Sequence, residues 1–284
     1  SNCEDHVFLE PKNYKITKGS IKKAQGYFTK FKLEISDFSE TLPSSKSHLE
    51  FGDFFKEVDT ECDLIIDLSE GTPMFTGDNK RDGYFRVSSN SPTDLFNIFS
   101  KVIDMIGQFE KPIYVNFDEN LCAHSKNNKT GCTRCLDVCP AGAIQSVGDI
   151  VSVDPGICGG CGFCGSVCPS GAIQTDYPSL EIILNTLLDL INGFIRAGGK
   201  NPVLMISDKN YGNEMIGLIS RHGNGLPANI IPYEMHSVGR VGHDILVSAV
   251  ALGFNKIFIL LDPKNSEEYS FLPKQVELAN SLLS

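Results

Sequence analysis

The sequence lacks any apolar run long enough to span a bilayer. About 18–20 residues would be needed, and the longest candidate, residues 180–195, is broken by Glu181, Asn185, Asp189 and Asn192. A surplus of positive charge is also missing. The formal net charge is −10, which argues against nucleic acid or an anionic membrane surface as the main partner. No G-x-G-x-x-G follows an expected strand, so no dinucleotide site is indicated. The first residues carry neither a signal-peptide pattern nor an initiator Met. Ser1-Asn2 reads as a protease-cleavage scar, and the chain is expected to be excised from a longer protein.

What is present is ordinary for a soluble globular protein, with 41% apolar and 21% charged residues in a chain of 284. That length suggests about two domains. The ten cysteines are not ordinary: eight lie between positions 122 and 168. Secreted disulfide domains are short and loop-rich, whereas long helix and strand patterns surround this segment. Reduced thiols committed to metal in a cytoplasm are the expected state.

Three regions follow, at residues 1–120, 121–177 and 178–284. In the first, residues 24–35 alternate in part as a strand, and residues 42–48 read as a loop. Two short apolar strands, at 62–68 and 111–117, flank a helix opened by Ser91-Pro92-Thr93-Asp94. That helix carries Leu95, Phe96, Phe99, Val102, Ile103 and Ile106 on one face. Strand, helix and strand fit a right-handed crossover. In the third region helices at 180–197, 211–222, 241–252 and 267–283 alternate with strands at 202–207, 228–233 and 256–262, which argues for a parallel sheet flanked by helices. The expected fold class is therefore α/β flanking blocks with an inserted α+β domain.

The insert contains an internal repeat. Cys135-x3-Cys139-Pro-Ala-Gly-Ala-Ile-Gln recurs as Cys164-x3-Cys168-Pro-Ser-Gly-Ala-Ile-Gln, 29 residues on. The second half is a complete iron–sulfur ligand run, Cys158-x2-Cys161-x2-Cys164-x3-Cys168-Pro169. Three closely spaced thiolates wrap three corners of an Fe4S4 cube, and the fourth ligates the other cluster in two-cluster ferredoxins. Glycines at 156, 159, 160, 162 and 165 let backbone N–H groups approach the sulfurs. Zinc also takes C-x2-C pairs, but two zinc sites would leave the third cysteine and the repeated C-P ending unused. Crossing the ligands gives two [4Fe-4S] clusters. One takes Cys139, Cys158, Cys161 and Cys164; the other takes Cys132, Cys135, Cys168 and one further ligand.

That further ligand is the open point, because Lys129 stands where a regular run would place a cysteine. The candidates are Cys122, His124, Cys3 and Cys62. Cys62 opens an apolar strand and reads as a core residue, Cys3 has no local pattern, and an isolated His in a polar loop is ordinarily solvated. Cys122 is favoured, because a ten-residue excursion back to Cys132 closes at little entropic cost. The excursion and the turn after it carry Lys126, Lys129 and Arg134 with no acidic residue. Positive charge there favours the reduced cluster, so the cluster beside this loop is expected to have the higher potential, or the loop to dock a partner.

Cys122-Ala-His-Ser…Thr130-Gly-Cys-Thr-Arg-Cys-Leu-Asp-Val-Cys-Pro resembles a bacterial family of 4Fe-4S dicluster ferredoxin-domain proteins whose genes often accompany a formate dehydrogenase. Lys80-Arg81-Asp82-Gly83-Tyr84 and Ser237-Val-Gly-Arg-Val-Gly-His-Asp-Ile-Leu are similar to segments of the same family. The resemblance supports Cys122 as ligand and implies a longer parent chain. Residues 239–253 are also similar to the small iron–sulfur subunit of methanogen hydrogenase–heterodisulfide reductase complexes, although no cysteine follows Cys168.

The expected function is an electron-transfer module working with a redox partner protein, for which the resemblance implies a formate dehydrogenase. One alternative is a maturation factor for a molybdenum-dependent dehydrogenase. The other is a redox subunit with a catalytic site in an α/β block, for which His236, Arg240 and His243 are the candidate residues.

Overall fold

A computed structural model describes residues 14–45, 48–75, 81–108, 110–124, 131–148, 150–209 and 211–284. The chain divides into two compact units. The first comprises Ser1–Asp78 and Asp82–Asp104, the second Asn79–Arg81 and Met105–Ser284. Among the described residues no helix is long and apolar enough to cross a membrane.

The first unit is built on an antiparallel sheet of β1 (Thr17–Gln25), β2 (Phe31–Glu40) and β3 (Phe55–Cys62), with β2 central. The alternation at residues 24–35 therefore spans two strands rather than one. Gly26 and Thr29 take left-handed conformations, with φ of 91° and 71°, and reverse the chain between them. A short parallel pair follows, β4 (Ile65–Asp67) with β5 (Tyr84–Arg86). Phe31, Ile65, Phe75 and Tyr84 form the core of this unit, and Cys62 packs against it.

Helix α1 (Pro92–Ile103) forms as the sequence indicates, but among the described residues its apolar face is only partly covered, with Leu95 and Val102 half-buried. Phe96, Phe99 and Ile103 are all exposed. The crossover expectation fails here. β4 pairs with β5, while the strand expected at 111–117 is β6 (Val115–Phe117), which pairs antiparallel with β9 in the second unit.

The second unit begins with β6 and continues through α2 (Arg134–Val138), β7 (Ile144–Val147), β8 (Ile150–Val153), α3 (Phe163–Val167) and β9 (Ile173–Thr175). The 29-residue repeat is visible in three dimensions. Each copy runs helix, cysteine, glycine turn and strand, with Gly142 at φ 64° and Gly171 at φ 68°. Each strand then pairs antiparallel, β7 with β8 and β9 with β6.

The remainder alternates α4 (Leu180–Arg196), β10 (Val203–Asp208), α5 (Tyr211–His222), β11 (Ile230–Met235), α6 (His243–Leu252), β12 (Lys256–Leu260) and α7 (Leu272–Leu283). The three strands form a parallel sheet in the order β11–β10–β12. The segment expected to be one helix over 267–283 is divided into a 3₁₀ stretch, Pro263–Tyr269, and α7, which starts with Pro273 in its first turn. Ile183, Leu187 and Ile191 of α4, spaced to share one helix face, are buried in one core with Leu204 and Ile206 of β10 and Ile245 and Ala249 of α6. Phe163 and Val167 of α3 belong to the same core. Phe163 lies 5.4 Å from the Tyr269 ring and 5.0 Å from the Phe271 ring. The helix carrying Cys164 is thereby packed into the core of the C-terminal sheet.

Candidate metal centre

The eight clustered cysteines form no disulfide, and they fall into two groups. Burial pushes the Cys135 thiol up to about 11, and Cys132, Cys168 and Cys122 add to the shift by their charge. Burial likewise holds Cys164 well above the ordinary thiol value, with further contributions from Cys161, Cys158, Cys139 and Cys135. The structure thus brings Cys122 together with Cys132, Cys135 and Cys168, and Cys139 with Cys158, Cys161 and Cys164. Cys135 also acts on Cys164, so the two groups are neighbours across the packed helices α2 and α3.

The position of Cys122 has a local cause. After β8, Asp154 donates its N–H to the Ala143 carbonyl, its carboxylate accepts from Gly156 N–H at 2.8 Å, and the Cys158 N–H closes back onto its carbonyl. After β6, Asp118 donates to the Ala172 carbonyl and accepts from Asn120 N–H at 2.9 Å, and the turn ends at Cys122. Asp118-x3-Cys122 therefore repeats Asp154-x3-Cys158. In this register the first half-motif keeps its first cysteine and gains residues before its second. Cys122 and Cys132 are separated by nine residues, Cys158 and Cys161 by two, so seven are inserted. Of the residues around it, Gly131 lies against Ala123, where a Cβ would come 2.3 Å from the Ala123 carbonyl oxygen.

The other candidates for that ligand are placed elsewhere. His124 is buried, with Nδ1 2.9 Å from the Cys132 carbonyl and Nε2 2.9 Å from Ser146 Oγ, so both ring nitrogens are occupied. Cys62 packs in the core of the first unit. Cys3 lies outside the described residues, as do Lys126 and Lys129. Arg134 is exposed at the start of α2.

The surroundings suit thiolate-held clusters in three respects. A hollow is lined by all four thiols of the second group together with Ala143, Ile144, Val115, Val153 and Phe163. Burial would raise the Cys168 thiol, yet it is held below the ordinary value by the backbone N–H groups of Ile173, Ser170 and Ala172 and by the Ser170 hydroxyl. Such donors stabilise negative sulfur. Finally, the glycine loop has no room for side chains. Gly160 at φ 70° abuts the Tyr114 ring, and Gly162 at φ 77° abuts the Arg240 side chain.

Among the described residues no three His, Cys, Asp or Glu groups converge on a point that one ion could occupy.

Cations also line the second group. Arg81 donates from Nη2 to the Ala141 carbonyl at 2.5 Å and interacts with Cys139 and Asp154. Lys111 Nζ donates to the Gly156 carbonyl at 2.8 Å. In the sequence Arg81 is marked only by the family-like segment at residues 80–84 and Lys111 not at all, since nothing in the ligand spacing points to positions so far upstream. Of the three residues considered for a catalytic site, His236 and Arg240 line one pocket with Cys161. His243 instead sits 2.9 Å from Gln275 Oε1.

Residues 128–172 match the family model of the 4Fe-4S dicluster domain. The match contains seven of the eight clustered cysteines, and Cys122 precedes it. No curated protein and no solved structure matches the chain. The chain thus carries an iron–sulfur, ferredoxin-like domain, which supports cluster binding and a role in electron transfer.

Proposed function

We propose that this protein relays single electrons between two Fe4S4 clusters and a partner oxidoreductase, through a ferredoxin-like segment that precedes the C-terminal parallel sheet in the second unit. Cys122, Cys132, Cys135 and Cys168 hold one cluster; Cys139, Cys158, Cys161 and Cys164 hold the other. The grouping of eight thiols into two neighbouring fours carries this reading. A bound cluster supplies a centre that accepts and releases one electron at a time. The chain's own residues bury that centre, aim backbone N–H groups at sulfur, and place cations beside the second group. A partner of the formate-dehydrogenase type, and a longer parent chain, rest on the sequence resemblance alone.

Anaerobic purification with iron and sulfide analysis tests the reading, with about eight irons expected per chain. Both clusters should reduce and reoxidise reversibly without substrate turnover. Cys122→Ser is expected to lose one cluster or convert it to a three-iron form, while His124→Gln keeps both. An unchanged EPR spectrum in Cys122→Ser would exclude that ligand. For the partner, formate with a formate dehydrogenase should reduce the clusters, and formate alone should not.

A further inference from the structure

The turns after β6 and β8 share one register. Asp118 matches Asp154 and Cys122 matches Cys158, so His124 stands where the second half-motif has Gly160. Gly160, at φ 70°, turns the chain directly into Cys161. The first half-motif has no such short path, because Cys132 lies eight positions beyond His124.

The His124 side chain spans that interval. It is 7% exposed, with Nδ1 2.9 Å from the Cys132 carbonyl oxygen and Nε2 2.9 Å from Ser146 Oγ. A carbonyl can only accept, so Nδ1 carries a proton, and in the neutral ring Nε2 accepts from the Ser146 hydroxyl. The bond to Ser146 thus selects the tautomer that the bond to Cys132 requires. The alternative acceptor for that hydroxyl, the Gly148 carbonyl, is farther away at 3.4 Å. Ser146 belongs to β7, whose Ile144 is buried with Cys122 and Cys135. Beside the ring the backbones also meet, since a Cβ on Gly131 would come 3.3 Å from His124 Cα. One imidazole therefore joins the arm bearing Cys122, the backbone of Cys132 and strand β7.

We infer that His124 is a positioning residue, a strut that holds Cys122 and Cys132 at one cluster across the insertion. The second half-motif, with its short path, needs no counterpart. The inference rests on the assignment of Cys122 and Cys132 to the same cluster.

Iron release to a chelator from the reduced, cluster-loaded protein, followed for each cluster by EPR, is the test. The signal altered in Cys122→Ser marks the cluster concerned. Asn places its amide near the Nδ1 position and Gln near the Nε2 position. His124→Asn, which keeps a donor for the Cys132 carbonyl, is expected to release iron at the parental rate. His124→Gln assembles both clusters but releases iron from the marked one about five- to tenfold faster, and Ser146→Ala accelerates the same cluster less. Ser146→Ala also keeps the test open if a His124 variant fails to fold. Parental rates in both His124→Gln and Ser146→Ala, equal acceleration in His124→Asn and His124→Gln, or equal acceleration of both clusters overturns the inference and leaves the two-cluster reading intact. Fewer than two clusters in the unsubstituted chain, or an unchanged spectrum in Cys122→Ser, overturns the ligand assignment and the inference with it.

Discussion

Arg81 stands 58 residues before Cys139 in the chain, yet its half-buried guanidinium is held beside that thiol by a hydrogen bond to Ala141. Burial lowers the Arg81 pKa, while Cys139 and Asp154 act to raise it. A fixed positive charge favours the more negative, reduced form of a neighbouring cluster. Arg81→Gln is therefore expected to lower the potential of the cluster held by Cys139, on the order of tens of millivolts. Neutralising Lys126 and Lys129 should act on the other cluster instead. Potentiometric EPR titration of both variants checks this. An unmoved potential in Arg81→Gln would show that this charge does not tune the cluster. The ligand run in the sequence identifies its cysteines by spacing, but spacing is local, and a charge delivered from so far upstream leaves no local signature.

At the level of elements, the two half-motifs differ in what supports them. Helix α3 is locked by Phe163, which fills the space above Gly239 so completely that a Cβ there would come 1.8 Å from the ring. Gly239→Ala must displace Phe163 and with it the turn carrying Cys164. Overpacking of this kind costs about 1–3 kcal/mol. The variant is expected to melt earlier and to release iron to a chelator faster; unchanged rates of iron loss would show that α3 holds its cluster independently of this contact. The elements of the C-terminal sheet were legible in the sequence, because periodicity and Gly punctuation there agree. The strand at residues 115–117 was legible too, but not its partner. Pairing with β9 depends on the pseudo-twofold repeat, whose Asp-x3-Cys member at Asp118 and Cys122 is short enough to overlook. The exposed apolar residues of α1 show the converse. A helix face can be read from spacing, while what covers it cannot.

For the molecule as a whole, all eight clustered cysteines lie in the second unit and the antiparallel sheet lies in the first. Removing iron should therefore lower the melting transition of the second unit, by about 10 °C or more, and leave that of the first in place. Differential scanning calorimetry of loaded and iron-free protein reads this directly; an equal shift of both transitions would contradict it. The sequence by itself carried the iron–sulfur spacing of seven cysteines and the alternation of the C-terminal block. These follow from short-range spacing, which a chain carries in its order. Tertiary structure alone decided that His124 spends both nitrogens on hydrogen bonds and that Arg81 reaches Cys139. Each of these joins groups distant in sequence, and their meeting depends on which surfaces bury one another.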